Sequence, residues 1–294
     1  MQCTNPILLF HLPRSEYPDG LTVPCGKCLH CRISKRKEWT FRMLHELQSW
    51  DHAIFITLTY DDQHIPDYNS LIKKDLQNFF KRLRKNLGER KIKYFACGEY
   101  GTTTDRPHYH AIIYGMSLLP GDKNIIMSTW KNCDWQNRSI KKNSFGLAEQ
   151  HSIEYVAGYI HSKLTGELAD QEYKQQNREP VFRILSLGIG LKYALENKEK
   201  ILKDKCLKQK GKELALPRYY LKKLEVDTSE FKSKAIERDC EETEKLTGIY
   251  VQNIDLYKSG NEKDVRMLVQ NMNAKNKQKN VNAEAKLKLK QKSL

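Results

Sequence analysis

The chain has 294 residues, 39% of them apolar and 30% charged, which is enough to bury a real core in one large domain or two small ones. Its 51 basic side chains outnumber 36 acidic ones for a net charge of +15, an excess that points to a polyanion, most simply nucleic acid, without choosing DNA or RNA. No run of about 18 apolar residues exists, the interrupted run Ile7–Phe10 is no secretory signal, and Gly211-Lys212 is followed by Glu213, so neither a membrane span nor a P-loop motor is expected.

Residues 1–31 are turn-rich and hold Cys3, Cys25, Cys28 and Cys31. From 32 to 50 the periodicity predicts a helix, with Ile33, Thr40, Met43, Leu44 and Leu47 on one side and Arg32, Lys35, Arg36 and Arg42 largely off it. Ala53–Tyr60 alternates and is rich in β-branched residues, which predicts a strand. Lys73–Leu87 is expected to be a basic helix ended by Gly88. Ile92–Tyr100 and His108–Gly115 read as two strands of an antiparallel hairpin across the turn-rich loop 101–107. Ser152–Lys163 predicts a helix, as do Leu191–Ile201 and Ser229–Leu246, with a break at Pro217. From Asn271 onward seven lysines accompany one acid, Glu284, and few apolar residues, so a disordered basic tail is expected. The fold class is α+β, a central antiparallel sheet with flanking helices.

The sharpest chemical feature is His108-Tyr109-His110. Residues two apart on a strand share a face, so both imidazoles project together and can ligate one divalent ion. A hairpin across 101–107 can bring Glu99 beside them. Two imidazoles and a carboxylate leave coordination positions open for substrate oxygens, which is a catalytic rather than a closed arrangement. Two histidines at a strand end can also be purely structural.

Tyr155, Tyr159 and Lys163 are spaced by four, so a helix puts all three on one face. Such a stripe can simply pack on a sheet. The alternative is a pair of phenol nucleophiles beside a cation, useful if a metal polarises a phosphodiester next to them.

Taken in order, Phe55-Ile-Thr-Leu-Thr-Tyr60, Cys97-Gly-Glu-Tyr-Gly101, Arg106-Pro-His-Tyr-His-Ala111 and Tyr155-Val-Ala-Gly-Tyr159-Ile-His-Ser-Lys163 resemble the motifs of HUH rolling-circle replication initiators. The segments Cys25-Gly-Lys-Cys28-Leu-His-Cys31-Arg32 and Pro217-Arg-Tyr-Tyr-Leu-Lys-Lys223 further resemble the initiators of gokushovirus-like microviruses, small bacteriophages with circular single-stranded DNA. The resemblance runs from Cys3 to about Lys223. It implies a nicking–joining enzyme in which a tyrosine forms a 5′-phosphotyrosine at the origin and frees a 3′-OH. It also implies Mg²⁺ or Mn²⁺ at Glu99, His108 and His110, catalytic roles for Tyr155, Tyr159 and Lys163, host helicase and polymerase partners, and the host cytoplasm. The missing P-loop agrees, because a phosphotyrosine conserves the bond energy for rejoining. Tyr159, with Lys163 one turn on, is expected to be the faster first nucleophile. A non-catalytic nucleic-acid binder and an HUH transposase or relaxase are the other readings.

The expected organisation is a Cys-rich, zinc-binding segment and basic helix at 1–50, an HUH endonuclease core at 51–168, a helical extension at 169–250 and the tail at 251–294. Cys3, Cys25, Cys28 and Cys31 can supply four thiolates to structural Zn²⁺, with His30 or His11 as possible replacements; an iron–sulfur cluster or free thiols are the alternatives. The helix after them is basic and can touch DNA or be an ordinary solvated face. Lys73, Lys74, Lys81, Arg82, Arg84 and Lys85 crowd one predicted helix and are expected to contact phosphates, giving affinity without sequence choice.

Overall fold

A small antiparallel ribbon of β1 (Ile7–Leu9) and β2 (Leu21–Val23) is followed by helix α1 (Leu29–Leu47). The computed structural model describes residues 3–9, 21–101, 104–162, 169–204, 206–209 and 212–292. Its contacts divide the chain into two compact units, Lys35–Leu224 and Met1–Ser34 with Glu225–Leu294. These boundaries differ from the four segments drawn on composition: most of α1 joins the central unit, and the C-terminal helices join the N-terminal segment.

The central unit is built on β3 (Ala53–Thr59), β4 (Lys93–Tyr100), β5 (Pro107–Tyr114), β6 (Phe145–Leu147) and β7 (Phe182–Leu185). They form one antiparallel sheet in the order β6-β3-β5-β4-β7. Alternation then sends neighbouring residues to opposite faces. One face carries Ile54, Ile56, Leu58, Tyr109, Ala111 and Ile113. It is covered by Leu76, Phe79, Phe80 and Leu83 of α2 (Lys73–Leu87). The other carries Phe95, Cys97, Ile112 and Tyr114, covered by Trp39 and Met43 of α1. Ile153, Val156 and Ala157 of α5 (Gln150–Ser162) complete that cover; α3 (Pro120–Thr129) and α4 (Arg138–Asn143) precede α5.

Gly88 ends α2 at φ 60, a left-handed conformation that favours glycine. The single helix expected over 191–201 is two, α6 (Leu191–Glu196) and α7 (Lys198–Asp204). The break is at Asn197, whose side-chain amide donates back to the Tyr193 carbonyl at 2.9 Å and so competes with helix continuation. A short ribbon, β8 (Leu207–Gln209) with β9 (Lys212–Leu214), precedes α8 (Arg218–Lys223), which Pro217 caps.

In the second unit, α9 (Ser229–Thr247) and α10 (Asn253–Ser259) lead to α11 (Glu262–Lys292). The tail expected to be disordered is therefore helical here. Its composition explains the difference. Lysine, alanine, glutamine and leucine are good helix formers even where they are too polar to make a core. Leu268 and Ala283 are buried, and Lys275 pairs with Glu242 of α9. Among the described residues no helix is long and apolar enough to cross a membrane.

Candidate active site

His108 and His110 lie two apart on β5 and share the α5-covered face. Tyr109, between them, points to the other face, where its hydroxyl stands 2.8 Å from that of Tyr60 and accepts from Ile72 N–H at 2.9 Å. The β4–β5 register sets Glu99 directly opposite His108. One oxygen, Glu99 Oε1, lies 2.7 Å from His108 Nε2 and 2.8 Å from His110 Nε2.

Each ring is oriented from behind. His108 Nδ1 donates to the Arg106 carbonyl at 3.1 Å, and His110 Nδ1 is 3.0 Å from Thr57 Oγ1. Those contacts turn both Nε2 atoms toward Glu99, the kind of support that metal-ligating histidines use. Phe55 stacks on His110, with ring centroids 5.4 Å apart. Burial opposes ionisation of Glu99, but the hydrogen bonds from His108 and His110 outweigh it and hold its carboxyl below the ordinary value. Burial lowers His110 below the ordinary imidazole value, keeping a lone pair available. The three donor atoms, one from each residue, lie within 4.8 Å of one another, and a set of two neutral imidazoles and a carboxylate fits a divalent ion such as Mg²⁺ or Mn²⁺.

Helix α5 brings Tyr155 to this cluster. Its hydroxyl is 3.5 Å from His110 Nε2 and its ring meets His110 and Phe55 edge-on, at 5.1 and 6.1 Å. The side chain is 38% exposed, so its oxygen sits at an open rim. On the same helix, the Arg36 guanidinium donates to the Glu154 carbonyl at 3.0 Å and packs beside Gly158. This places a cation against the tyrosine-bearing helix.

Of the residues singled out from sequence, Glu99, His108, His110 and Tyr155 converge. The backbone of α5 continues through Tyr159, but the Tyr159 side chain and all of Lys163 lie outside the described residues. Lys73, Lys74, Lys81, Arg82, Arg84 and Lys85 are all exposed on α2, which covers the sheet face opposite the histidines. Within that row, Arg84 lies over the Tyr94 ring at 5.0 Å. The four N-terminal cysteines gather in the other unit. Sequence reasoning missed Thr57, Phe55 and Arg36. Alternation along Phe55-Ile56-Thr57 hinted that two of these share a face, but the strand they would oppose was not legible.

Comparison with known proteins agrees with the site's location. The family model for the replication-associated protein ORF2 matches residues 53–164, which span Glu99, both histidines and Tyr155. The chain is 34% identical over 223 residues to the replication-associated protein ORF2 of Spiroplasma virus 4, covering 69% of this chain and 68% of that one. It is 34% identical over 168 residues to replication-associated protein VP4 of Bdellovibrio phage phiMH2K, covering 51% of each. It is 30% identical over 225 residues to replication-associated protein ORF4 of Chlamydia phage 1, covering 71% of this chain and 56% of that one. No solved structure matches significantly. On the extent and level of these similarities, the chain belongs to the ORF2 family of phage replication-associated proteins.

Proposed function

We propose that this protein initiates rolling-circle replication of a phage genome by nicking one strand of circular DNA at its origin and later rejoining it. One observation carries the reading: the Tyr155 hydroxyl stands at an open rim, 3.5 Å from one of three convergent metal-capable side chains. A free phenol, with a pKa near 10, is a weak nucleophile at neutral pH and needs such a neighbour.

In the reaction, Tyr155 Oη attacks the phosphorus of the scissile phosphodiester. The P–O3′ bond breaks, the phenolic proton is lost to water, and the departing 3′-oxygen takes up a proton to become the primer end. The products are a 5′-phosphotyrosine and a free 3′-OH. Glu99, His108 and His110 would hold Mg²⁺ or Mn²⁺, which when bound supplies Lewis-acid polarisation of the phosphate. Thr57 and the Arg106 carbonyl keep the two imidazoles aimed. Rejoining is the reverse attack by a 3′-OH, so the bond is conserved and no nucleotide is hydrolysed. Tyr159, one turn further on, is the second nucleophile that cuts the regenerated origin, with Lys163 stabilising charge. Tyr155 takes the first attack in this scheme, a reversal of the order expected from the position of Lys163. The exposed lysines and arginines of α2 hold flanking DNA by its phosphates, and a host helicase and polymerase extend the freed end in the host cytoplasm.

The test is incubation with a single-stranded origin oligonucleotide and Mn²⁺, followed by a denaturing gel. Wild type should give a covalent protein–DNA band. Tyr155→Phe keeps the ring packing and should cut the initial adduct about 100-fold, in the range expected for loss of a catalytic group. Tyr155→Phe with Tyr159→Phe should give none. An adduct persisting in the double variant would reject this helix as the nucleophile, and no adduct from wild type would favour a non-catalytic binder.

A further inference from the structure

The second metal-capable cluster is formed by the four cysteines of the N-terminal segment. Pairing of Ile7 with Val23 in the β1–β2 ribbon sets the residues just outside it side by side. Cys3 precedes that ribbon and Cys25 follows it; Cys28 precedes α1, and Cys31 lies in the first turn of α1. The Cys3 and Cys25 sulfurs are 3.5 Å apart and those of Cys3 and Cys28 3.8 Å apart. All four sulfurs lie within 4.8 Å of one another, and all four cysteines are free.

These separations are too long for a disulfide, whose sulfurs lie about 2.05 Å apart. They match a tetrahedron of thiolates around zinc, where bonds of about 2.3 Å place neighbouring sulfurs about 3.8 Å apart. The backbone supports negative sulfur. Cys25 N–H donates to Cys3 Sγ and Cys28 N–H donates to Cys25 Sγ, each at 3.3 Å. The first helical hydrogen bond of α1, Arg32 N–H to the Cys28 carbonyl at 3.0 Å, fixes the spacing of the last two ligands. His30 is buried beside them but does not join the four sulfurs, and His11 lies outside the described residues.

A stability argument points the same way. Each strand of the ribbon has three residues. An isolated two-stranded ribbon is marginal at best in water. Neutral thiols are weak donors and weak acceptors, so four of them facing one another give little cohesion. An ion bound by all four would close the ribbon onto the start of α1. Four sulfur ligands leave no open position, and soft thiolates select zinc or iron over Mg²⁺ and Mn²⁺.

The geometry points to a structural Zn²⁺ site formed by Cys3, Cys25, Cys28 and Cys31, chemically separate from the Glu99–His108–His110 cluster. It binds no substrate and holds the N-terminal ribbon together. Its existence does not depend on the nicking reaction.

The decisive experiment is metal analysis of the full-length chain purified without chelator from zinc-supplemented cells. About one zinc per chain is expected for a single four-thiolate site. The count should stay unchanged in His108→Ala with His110→Ala, which separates this site from the other cluster. It should fall to near zero in Cys25→Ser with Cys28→Ser, and stay unchanged in Cys133→Ser. Because the cysteine variant can misfold, wild-type protein stripped of metal by chelator is also titrated with Co²⁺. Intense visible absorption with sulfur-to-cobalt charge transfer, saturating at about one equivalent, supports a tetrathiolate site. Absence of zinc in folded wild type, an iron–sulfur spectrum, zinc that follows the histidines, or cobalt binding without charge transfer would each overturn it.

Discussion

The two faces of the central sheet come from the same strands but are put to different uses. The α2 face is closed: Tyr109, Leu58, Phe79, Phe80 and Trp130 are essentially inaccessible, and the polar atoms there, such as the Tyr60 and Tyr109 hydroxyls, find partners within the core. The α5 face is just as apolar around Phe95, Ile112 and Tyr114 but turns polar around Glu99, His108 and His110. There a buried carboxylate and two imidazoles share one point, and Tyr155 leaves the face open. A chemically reactive cluster is thus carried on a sheet whose stability is secured mainly from behind. Substitutions on the two faces should accordingly have different symptoms.

The largest expected effect is on the site face. His108→Ala with His110→Ala removes two of three ligands and should reduce nicking by about 1000-fold or more, given the several kcal/mol that a catalytic metal supplies. Affinity for single-stranded DNA, measured by fluorescence anisotropy, should stay within about threefold because phosphate contacts provide most of it. Nicking at the wild-type rate would place the metal chemistry elsewhere. On the opposite face, Phe79→Ala should cost about 3–5 kcal/mol of stability, the usual loss for a buried aromatic. Phe79 is fully buried, with its ring 5.0 Å from Phe80 and 6.0 Å from Trp130. Urea unfolding should show the loss, while the folded fraction nicks normally at low temperature; a pure activity defect without loss of stability would break the division between faces.

A smaller effect sharpens the comparison through pH. His45 of α1 stacks on Tyr193 at 3.8 Å, and its Nδ1 is 3.0 Å from the Tyr220 hydroxyl. Burial lowers its pKa to about 4. An unfolded histidine titrates near 6.5, so between about pH 6.5 and 4 the unfolded chain holds a proton that the folded chain rejects. Stability should therefore fall as pH drops through that window, by at most about 3 kcal/mol from this group. His45→Phe keeps the stacking and should flatten the decline in urea midpoint between pH 7 and 4.5. An unchanged slope would assign the decline to other groups; the lowered His110 acts in the same direction and remains in both proteins.

Much of the site was legible because strand and helix periodicities are local. The period of two puts His108 and His110 together whatever surrounds them, and the hydrophobic pattern of 150–162 predicts the helix that bears Tyr155. The short strands β6 and β7 were not legible. Three or four residues carry too little periodicity, and their existence depends on the edges of β3 and β4 being available. The basic helix shows the same limit. Its charges are evident in sequence, but only the pairing of its Phe79–Phe80 side with the Tyr109 side of the sheet sets it opposite the histidines.

By itself, then, the sequence determined the local matters: which segments become the long strands and helices, which residues share a face, the excess of positive charge, and the cysteine spacing. Tertiary structure decided the rest, because it depends on register and on contacts between residues far apart in the chain. The β4–β5 register brings Glu99 opposite His108 rather than one residue away, where it would face α2. The β3–β5 register gives His110 its Thr57 partner. The packing of α5 on Phe95, Cys97 and Ile112 delivers the Tyr155 hydroxyl to the metal-capable cluster, a distance that no spacing along the helix contains.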